Sequence, residues 1–282
     1  MSLWYTETFD DKVRFALKVK KTLHSSVSTF QRVELFDTEL MGKTLALDGI
    51  FQTSEGDEFY YHEMIAHPAL CCVESPKRVL VIGGGDGGTA REILRHPRVE
   101  ECVMVEIDQQ VVDACKKHIP HFGAWDDPRL KLIIGDGVKH IADAPGQSYD
   151  VVVLDNSDPV GPSEGLFGES FYQNVAACLR PGGVFALQSE SPLLMPKIFA
   201  EIQQALGNHF TKVHPYFGPV LIYGASQWSW TFASQTVDPL LPNPGVVKEI
   251  EMSTRYYNSR IHQGAFALPN ELAKQLQANS IA

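Results

Sequence analysis

The stretch that decides the fold is Val79-Leu80-Val81-Ile82-Gly83-Gly84-Gly85-Asp86-Gly87-Gly88, an apolar run that leads directly into a cluster of glycines. A helical pattern follows from Thr89 to Arg95. An uninterrupted apolar run with β-branched residues is typical of a strand that is buried on both faces. Strand, glycine turn and helix, in this order, open a nucleotide-binding βαβ unit. The stretch therefore predicts an α/β fold with a doubly wound, Rossmann-like sheet.

The glycine spacing alone does not identify the ligand. Gly83, Gly85 and Gly88 match the loose G-x-G-x-x-G pattern, which is found in dinucleotide sites and also in glycine turns without a ligand. A dinucleotide site holds a pyrophosphate at the start of this helix, and the carboxylate of Asp86 inside the loop would repel it. We therefore expect a ligand that approaches the backbone of Gly83 and Gly85 closely and that has a cationic group near Asp86.

Composition narrows the class of protein. The chain has 282 residues, of which 44% are hydrophobic, and a formal net charge of -10. The acidic balance argues against nucleic acid or an anionic membrane as a partner and suits cationic ligands. The sequence shows no signal peptide and no apolar run long enough to span a bilayer. Its five cysteines follow no metal or redox spacing, so we expect a cytoplasmic protein without a metal site.

The chain divides into two predicted domains. Residues 13–53 contain three strand patterns without a helix, the last of which ends in an Asp-Gly turn signal. These patterns predict an antiparallel β domain over residues 1–56, whose edges favour pairing with another subunit. A helical pattern over residues 57–72 follows, and with it begins a Rossmann-like catalytic domain that we place at residues 57–282.

Acidic residues follow the buried strands of the second domain at their carboxyl ends, where open α/β sheets bind ligands. A single acid there is often a helix N-cap, but a row of five indicates an anionic cleft. Glu106 lies roughly 20 residues beyond the glycine turn, where a ribose-binding acid is expected. Asp136, after the next strand, is placed to meet an adenine amino group. The five acids are Asp86, Glu106, Asp136, Asp155 and Asp158.

The densest signal is the loop Asp155-Asn156-Ser157-Asp158-Pro159-Val160-Gly161-Pro162, which follows the fourth strand of this domain. Its two carboxylates can bind an ammonium group, and one of them can take its proton. An alkylammonium with a pKa of about 10 must lose a proton before it can attack. A carboxylate accepts that proton when the loss is coupled to bond formation or when the site is desolvated. Together with the two nucleoside acids, the loop favours an adenosyl-methionine enzyme over a dehydrogenase.

At these residues the sequence resembles the spermidine synthase (polyamine aminopropyltransferase) family over essentially the whole chain. The resemblance implies a small β domain on a Rossmann-like domain, assembled as a homodimer or homotetramer. It implies transfer of an aminopropyl group from decarboxylated S-adenosylmethionine, a co-substrate, to putrescine, which yields spermidine and methylthioadenosine without a tightly bound cofactor. The matching stretches are residues 47–49, 52–53, 57–59, 61–64, 82–88, 105–108, 135–137, 155–162, 255–258 and 265–269.

The resemblance also implies a role for each candidate residue. Asp155 would be the general base, and Asp158 and Tyr61 would bind the acceptor diamine. Asp86 and His62 would contact amine groups of the substrates. The nucleoside would be held by Gln31, Glu106, Asp136 and Gly137, with Pro162 near the adenine.

One departure from the family lies at the acceptor end of the site. The family often has Pro-Thr-Tyr-Pro or a close variant where this chain has Leu221-Ile222-Tyr223-Gly224. Tyr223 keeps the aromatic group that is expected beside the amine, whereas the loop lacks the stiffness that proline gives. The choice among diamines and longer polyamines would be made here.

Other functions stay open at this point. The enzyme could use a different acceptor amine, or it could be a putrescine N-methyltransferase-like enzyme, which shares the Asp-Pro-Gly-Pro loop type. Asp86 favours aminopropyl transfer, because it would repel the carboxylate of intact S-adenosylmethionine. A polyamine- or nucleoside-binding sensor would lack catalysis, and the presence of Asp155 weighs against it.

Overall fold

The structure is a computed structural model that describes residues 3–9, 11–157, 165–224 and 226–279. It contains a five-stranded antiparallel sheet, followed by a seven-stranded sheet whose central strands are parallel. Helices follow the parallel strands along the chain. The predicted fold class, a Rossmann-like sheet with a small antiparallel β unit at the N-terminus, is confirmed.

The N-terminal sheet is a simple meander in which each strand pairs with the next one in the chain. The three predicted strands are present, and two further strands flank them. The first of these, Leu3–Phe9, was missed because Glu7 interrupts its apolar pattern: this carboxylate is buried and accepts the backbone N–H of Phe51, in the fifth strand, at 3.0 Å. The strands are β1 (Leu3–Phe9), β2 (Val13–Val27), β3 (Arg32–Thr38), β4 (Gly42–Leu47) and β5 (Ile50–Ser54).

Helix α1 (Glu58–Leu70) connects the two sheets and is buried on nearly every side. It lies within the predicted range of residues 57–72. Pro68 lies inside the helix and cannot donate to the carbonyl of Met64, four residues earlier. That carbonyl accepts the hydroxyl of Tyr216 instead, at 2.9 Å. The helix therefore tolerates its proline because a distant strand satisfies the freed carbonyl.

The seven-stranded sheet has the order β11-β12-β10-β9-β6-β7-β8. From β6 the chain first builds outward through β7 and β8, and it then returns to the other side of β6 with β9. This reversal between β6 and β9 is a topological switch point, where open α/β sheets bind ligands. The strands are β6 (Arg78–Gly83), β7 (Glu101–Glu106), β8 (Leu130–Ile134), β9 (Tyr149–Asp155), β10 (Leu179–Gln188), β11 (Lys212–Val220) and β12 (Ser226–Ser234).

Two hydrophobic cores cover the two faces of this sheet. Val79 and Val81 of β6 pack into one core, and Leu80 and Ile82 pack into the other. This alternation is why the strand reads as a continuous apolar run. Among the described residues, no helix is long and apolar enough to cross a membrane. The remaining helices are α2 (Gly88–Arg95), α3 (Gln109–His118), α4 (Gly137–Asp143), α5 (Glu169–Cys178), α6 (Pro196–Gly207), α7 (Pro244–Ile250), α8 (Ser259–Ala265) and α9 (Asn270–Asn279).

Candidate active site

The glycine turn after β6 packs directly against the end of β9. Gly83 pairs with Asp155 across the switch point, and a Cβ atom on Gly83 would lie 2.0 Å from the carbonyl oxygen of Asp155. The N–H of Gly84 donates to the same oxygen at 2.8 Å. We expected glycine here because a ligand approaches the turn. At Gly83 another strand also makes a close approach, which requires a glycine whether or not a ligand is bound and fixes the backbone of Asp155.

Asp86 lies at the start of α2 and has two partners. Its Oδ1 accepts the N–H of Gly88 at 2.8 Å, and its Oδ2 lies 3.1 Å from Nε2 of His62. Burial opposes the charge of Asp86, but protonated His62 and the Gly88 N–H outweigh it and hold the pKa of this carboxyl below its usual value. Asp86 is therefore a fixed negative charge at the mouth of the glycine turn.

His62 lies between two carboxylates and also lines the cleft. Its Nδ1 is 2.7 Å from Oε2 of Glu58, and its Nε2 faces Asp86. Burial disfavours the imidazolium, yet Asp86 and Glu58 together raise the pKa of His62 to about 10. Arg91 donates to the same oxygen of Glu58 at 2.7 Å. Because both ring nitrogens are engaged, His62 orients Asp86 through a charged hydrogen bond.

Asp155 ends the strand beside the switch point and is half-buried in the cleft. Tyr61, on α1, donates its hydroxyl to Oδ1 of Asp155 at 2.8 Å. Burial, and next the charge of Asp86, raise the pKa of Asp155 above its usual value. A carboxylate with a raised pKa is a stronger base, so the surroundings of Asp155 suit proton abstraction.

The other side of the glycine turn carries Glu106, at the end of β7. Its Oε1 accepts the N–H of Asp108 at 2.8 Å. Burial, together with the negative charges of Asp108 and Asp155, raises the pKa of Glu106 from 4.5 to about 7. Gln31 of the N-terminal unit donates to Asp108 at 3.2 Å and so borders the same region. Glu106 is thus a buried carboxylate that hydrogen-bond donors of a ligand would stabilise in its charged form.

Asp136 is the N-cap of α4, since its Oδ1 accepts the N–H groups of Val138 and Lys139 at 2.8 and 3.2 Å. The cap and the site interpretations are compatible, because the residue also lines the cleft. Gly137 follows, and a Cβ atom there would lie 2.3 Å from Cγ2 of Ile82. The close packing of Gly137 on β6 brings the start of α4 to the edge of the cleft.

A single cavity at the carboxyl edge of the sheet brings these residues together. Among the described residues that line it there is no lysine or arginine, so the cleft favours cationic ligands. Two predicted site residues, Asp158 and Pro162, lie outside the described residues. The predicted site residues that line the cavity are Gln31, Tyr61, His62, Gly83, Gly85, Asp86, Glu106, Asp136, Gly137, Asp155 and Tyr223.

A second, inner cavity continues from the first and shares Gln52, Tyr61, Asn156, Ser157 and Tyr223 with it. Its remaining lining combines acidic and amide side chains with apolar and aromatic ones. The polar residues are Glu7, Gln188 and Glu190, and the apolar and aromatic residues include Phe9, Ile50, Leu194 and Trp228.

The sequence reasoning missed these inner acids. Glu190 lies two residues beyond the end of β10, so the rule that located the other strand-end acids applies to it as well. It is fully buried and has a φ of 67°, which a non-glycine residue seldom adopts. Such backbone strain is found preferentially at functional sites. Glu7 gave no comparable signal, because it precedes the sheet by about 70 residues and reaches the cavity only through the N-terminal sheet.

Comparison with known proteins matches both parts of the chain. A family model described as a spermine/spermidine synthase domain matches residues 58–241, and one described as a spermidine synthase tetramerisation domain matches residues 3–55. The polyamine aminopropyltransferase of Thermoanaerobacter sp. (strain X514) is 42% identical over 270 residues, which are 95% of this chain and 96% of the relative. That of Bacillus subtilis (strain 168) is 41% identical over 268 residues, 95% of this chain and 96% of the relative.

A solved structure shows the same fold. The crystal structure of a spermidine synthase in complex with the transition state analogue AdoDATO superimposes with a TM-score of 0.95 at 36% identity. The match covers 98% of this chain and 95% of that chain. The likeness therefore extends through both sheets and through the cleft between them.

Proposed function

The chain belongs to the spermine/spermidine synthase family of polyamine aminopropyltransferases, and on this premise we propose that it transfers the aminopropyl group of decarboxylated S-adenosylmethionine to putrescine. The products are spermidine and methylthioadenosine. The observation that carries the proposal is the pair Asp155 and Asp86 at the switch point, one carboxylate with a raised and one with a lowered pKa. In such a pair, the carboxyl with the raised pKa can act as a base, and the carboxyl with the lowered pKa remains a fixed negative charge.

The donor's nucleoside occupies the cavity between β6, β7 and α4 in this proposal. Glu106 accepts hydrogen bonds from the ribose hydroxyls, and Asp136 meets the adenine amino group. Ile82, Val105, Ile107, Val138 and Leu166 line the same cavity and provide an apolar slot for the base. Gln31 and Gly137 close the slot, and Gly83 and Gly85 border the sugar.

The aminopropyl arm of the donor ends near Asp86. Loss of the carboxyl group leaves this arm with a plain ammonium, which a carboxylate attracts. The carboxylate of intact S-adenosylmethionine would be repelled there, so Asp86 selects the decarboxylated donor. We place His62 behind Asp86 as its orienting cation, and not in contact with the amine, because both of its ring nitrogens already face carboxylates.

The acceptor diamine lies in the inner cavity with its reacting end at Asp155. Tyr61 and Tyr223 flank its alkyl chain, and the acids of the inner cavity receive its second ammonium. Asp155 takes a proton from the near ammonium, and the freed nitrogen lone pair attacks the methylene carbon next to the sulfonium. The new C–N bond forms as the C–S bond breaks. The bonding pair goes to sulfur, and neutral methylthioadenosine leaves. Asp158 would assist in holding the near ammonium.

Little chemistry remains for the protein beyond proton removal and alignment, because the sulfonium already activates the carbon. Holding nitrogen, carbon and sulfur in line inside one cleft accounts for a large part of the rate. The hydrogen bond from Tyr61 keeps Asp155 in a fixed orientation at 2.8 Å, so the base does not have to be ordered during the reaction.

We also propose that residues 1–56 form an assembly domain and residues 57–282 the catalytic domain. The N-terminal strands and the connection between β2 and β3 expose large apolar side chains, which monomeric proteins seldom leave uncovered in groups. A homodimer or homotetramer would cover them, in keeping with the tetramerisation domain model that matches this part of the chain. The exposed side chains include Leu3, Trp4, Val13, Val27 and Phe30.

A product assay tests the proposed reaction. The purified protein is incubated with decarboxylated S-adenosylmethionine and, separately, with putrescine, cadaverine, agmatine or spermidine, and a parallel set uses intact S-adenosylmethionine. We expect methylthioadenosine with putrescine and the decarboxylated donor alone. Adenosylhomocysteine from the intact donor would show a methyltransferase and overturn the role of Asp86. Binding of putrescine and methylthioadenosine without turnover would show a sensor.

A further inference from the structure

The carboxylate of Asp57 joins three separate segments of the chain. It is 2% exposed, and its Oδ1 accepts the hydroxyl of Ser54 at 2.6 Å. Its Oδ2 accepts the backbone N–H of Ile222 at 2.8 Å, and the N–H of Leu221 is directed at the same carboxylate. Ser54 ends β5, Asp57 precedes α1, and Ile222 lies in the loop between β11 and β12. One side chain therefore fixes the N-terminal sheet, a central helix and a distant loop relative to each other.

The position of Asp57 suggests a different use of its carboxylate. Asp57 is the N-cap residue of α1, where an aspartate ordinarily accepts an N–H of the first helical turn. Its side chain makes no such bond. The donors come instead from Ser54 and from a loop 165 residues later in the chain. Burial raises the pKa of the Asp57 carboxyl, and the donors from Ser54 and from the loop oppose that rise by stabilising its charged form.

The loop that Asp57 holds carries a wall of both cavities. Tyr223 lines the outer and the inner cavity, and its hydroxyl donates to the carbonyl of Gln52 at 2.7 Å. Its ring meets that of Tyr61 edge-on at 5.7 Å, and it lies 4.5 Å from the ring of Trp228. Residues 221–224 contain no proline, so the shape of this loop depends on contacts with the rest of the chain.

We infer that Asp57 is a positioning residue that sets the width of the acceptor channel between Tyr61 and Tyr223. Tyr61 lies one helical turn after Asp57 on α1, and Tyr223 lies one residue after Ile222 in the loop. The carboxylate of Asp57 thus holds the loop that carries Tyr223 against the start of α1, which carries Tyr61. The inference rests on the proposed function, because it assigns the diamine to the inner cavity.

The test compares acceptor and donor kinetics in Asp57→Asn. The new amide can still accept the N–H of Ile222 if its N–H₂ group donates to the hydroxyl of Ser54, but the bond to the loop then ends on a neutral amide oxygen. Because a hydrogen bond to a charged acceptor is stronger than one to a neutral acceptor, the loop is held more weakly and shifts. We expect the KM for putrescine to rise roughly tenfold and the preference for putrescine over cadaverine to fall, with the KM for the donor changed less than about threefold. The amide of Ile222 should exchange with deuterium faster than in the unaltered protein.

Ser54→Ala is the matched control, since it removes one donor to the same carboxylate but leaves both loop contacts. It should keep the acceptor preference and the slow exchange of Ile222. Leu221→Pro, combined with Asp57→Asn, tests the mechanism: proline suits the second position of the turn from Val220 to Tyr223, whose hydrogen bond is 3.3 Å long. Proline also removes the N–H of Leu221, so any rescue comes from stiffness alone. If Asp57 acts by holding the loop, this stiffening should restore part of the acceptor preference.

Two results would overturn the inference. The first is a folded Asp57→Asn protein with unchanged acceptor KM, preference and exchange at Ile222. The second is an equal rise of donor and acceptor KM, as expected from general loss of structure. If Asp57→Asn does not fold, Asp57→Glu, which keeps the charge but displaces it, must show the same split between acceptor and donor. Absence of turnover in the unaltered protein with every diamine would refute the proposed function instead, and the exchange measurement would still decide the role of Asp57 in the loop.

Discussion

The nucleoside half of the cleft is built mainly from segments that lie close together in the sequence, and the amine half is built from segments that lie far apart. Glu106 and Asp136 follow two neighbouring parallel strands, and about 30 residues separate them. The amine half takes side chains from the N-terminal sheet, from α1 and from the ends of β9 and β10, and a wall from the β11–β12 loop. Apart from Gln31, the first half is a local product of the βαβ pattern, whereas the second exists only when the whole chain has folded.

The comparison has an electrostatic side. Among the described residues no cation pairs with Glu106, and burial and neighbouring acids raise the pKa of this carboxyl to about 7. Asp86 is held ionised by His62, which Glu58 and Arg91 support in turn. The carboxylate of the nucleoside half thus needs hydrogen-bond donors from a ligand to stabilise its charge, whereas the amine half has a negative charge on Asp86 before any ligand binds. Substitutions in the two halves should therefore differ in which substrate they affect and in their dependence on pH.

The largest effect is expected at the base. Asp155→Asn removes the group that takes the proton, and turnover should fall by roughly a hundredfold or more. The affinity for the donor should stay within a few-fold of the original, because the nucleoside half is untouched. Turnover is measured by methylthioadenosine release and donor affinity by calorimetry. Asp143→Asn removes an exposed carboxylate at the end of α4 and serves as the control with normal turnover. Near-normal turnover of Asp155→Asn would refute the assignment of the base.

Asp86→Asn should affect the choice of donor. Loss of a charged hydrogen-bond partner is worth about 1.5–3 kcal/mol, so the preference for the decarboxylated donor over intact S-adenosylmethionine should fall roughly 10- to 100-fold. Competition binding with both donors measures this ratio. A ratio that does not change would show that the amine of the donor lies elsewhere.

The same variant should shift the pH profile. The charge of Asp86 raises the pKa of Asp155, and its effect exceeds the opposing effect of His62. Its removal should lower the pKa of Asp155, so that the base stays ionised in more acidic solution. The acid limb of kcat/KM should move to lower pH in Asp86→Asn. A shift to higher pH would contradict the proposed coupling between the two carboxyls.

Glu106→Gln should weaken donor binding by about tenfold, since ribose hydroxyls lose a charged acceptor. In the unaltered protein, binding should weaken as the pH falls below about 7, because protonated Glu106 must first release its proton. The variant should lack this dependence. Glu249→Gln, an exposed change on α7, is the control. Donor affinity of Glu106→Gln that equals the original at pH 8 would contradict the role in nucleoside binding.

Glu106→Gln should also change stability, in a direction opposite to its effect on binding. The folded pKa of about 7 lies above the unfolded value of 4.5, so the ionised group destabilises the folded chain fully above pH 7 and not below the unfolded pKa. The variant should raise the melting temperature at pH 8 and have much less effect at pH 4. Thermal unfolding at the two pH values measures the difference.

The smallest effect is expected at the channel wall. Tyr223→Phe keeps the ring beside Tyr61 but removes the hydroxyl that donates to the carbonyl of Gln52. One neutral hydrogen bond is worth about 1 kcal/mol, so the acceptor KM should rise only about threefold to fivefold, with an unchanged donor KM. A larger rise in the KM for the donor than in the KM for the acceptor would contradict the assignment of Tyr223 to the amine half of the cleft.

The same contrast explains what the sequence could predict. The glycine turn, the parallel strands and the row of strand-end acids follow from local patterns. The structure places the described acids of that row around one cavity. The pattern could not show that Gly83 serves the backbone of Asp155, because this requires the register between β6 and β9. The engagement of both nitrogens of His62 likewise depends on α1 and α2 meeting in space.

The acceptor end was least predictable. Its acids come from Glu7, far from the Rossmann-like pattern, and from Glu190, where the strand-end rule was not applied. Helix α1 gave no periodic signal because it is buried on nearly all sides, so its start and end were located only to within one or two residues. Its polar residues look unremarkable in sequence, and only their distant partners show why they are there.

Glu63 of α1 illustrates what these distant contacts mean for folding while the chain is being synthesised. Its carboxylate accepts the backbone N–H groups of Arg255, Tyr256 and Tyr257, at 2.7, 2.8 and 2.7 Å. The acid leaves the ribosome nearly 200 residues before its donors, and until they arrive it must remain in water. We therefore expect helix α1 to become fully buried only when synthesis has almost finished. A nascent chain that stops short of Tyr257 has every carboxylate of the cleft, but it lacks a donor that Glu63 needs for its own burial.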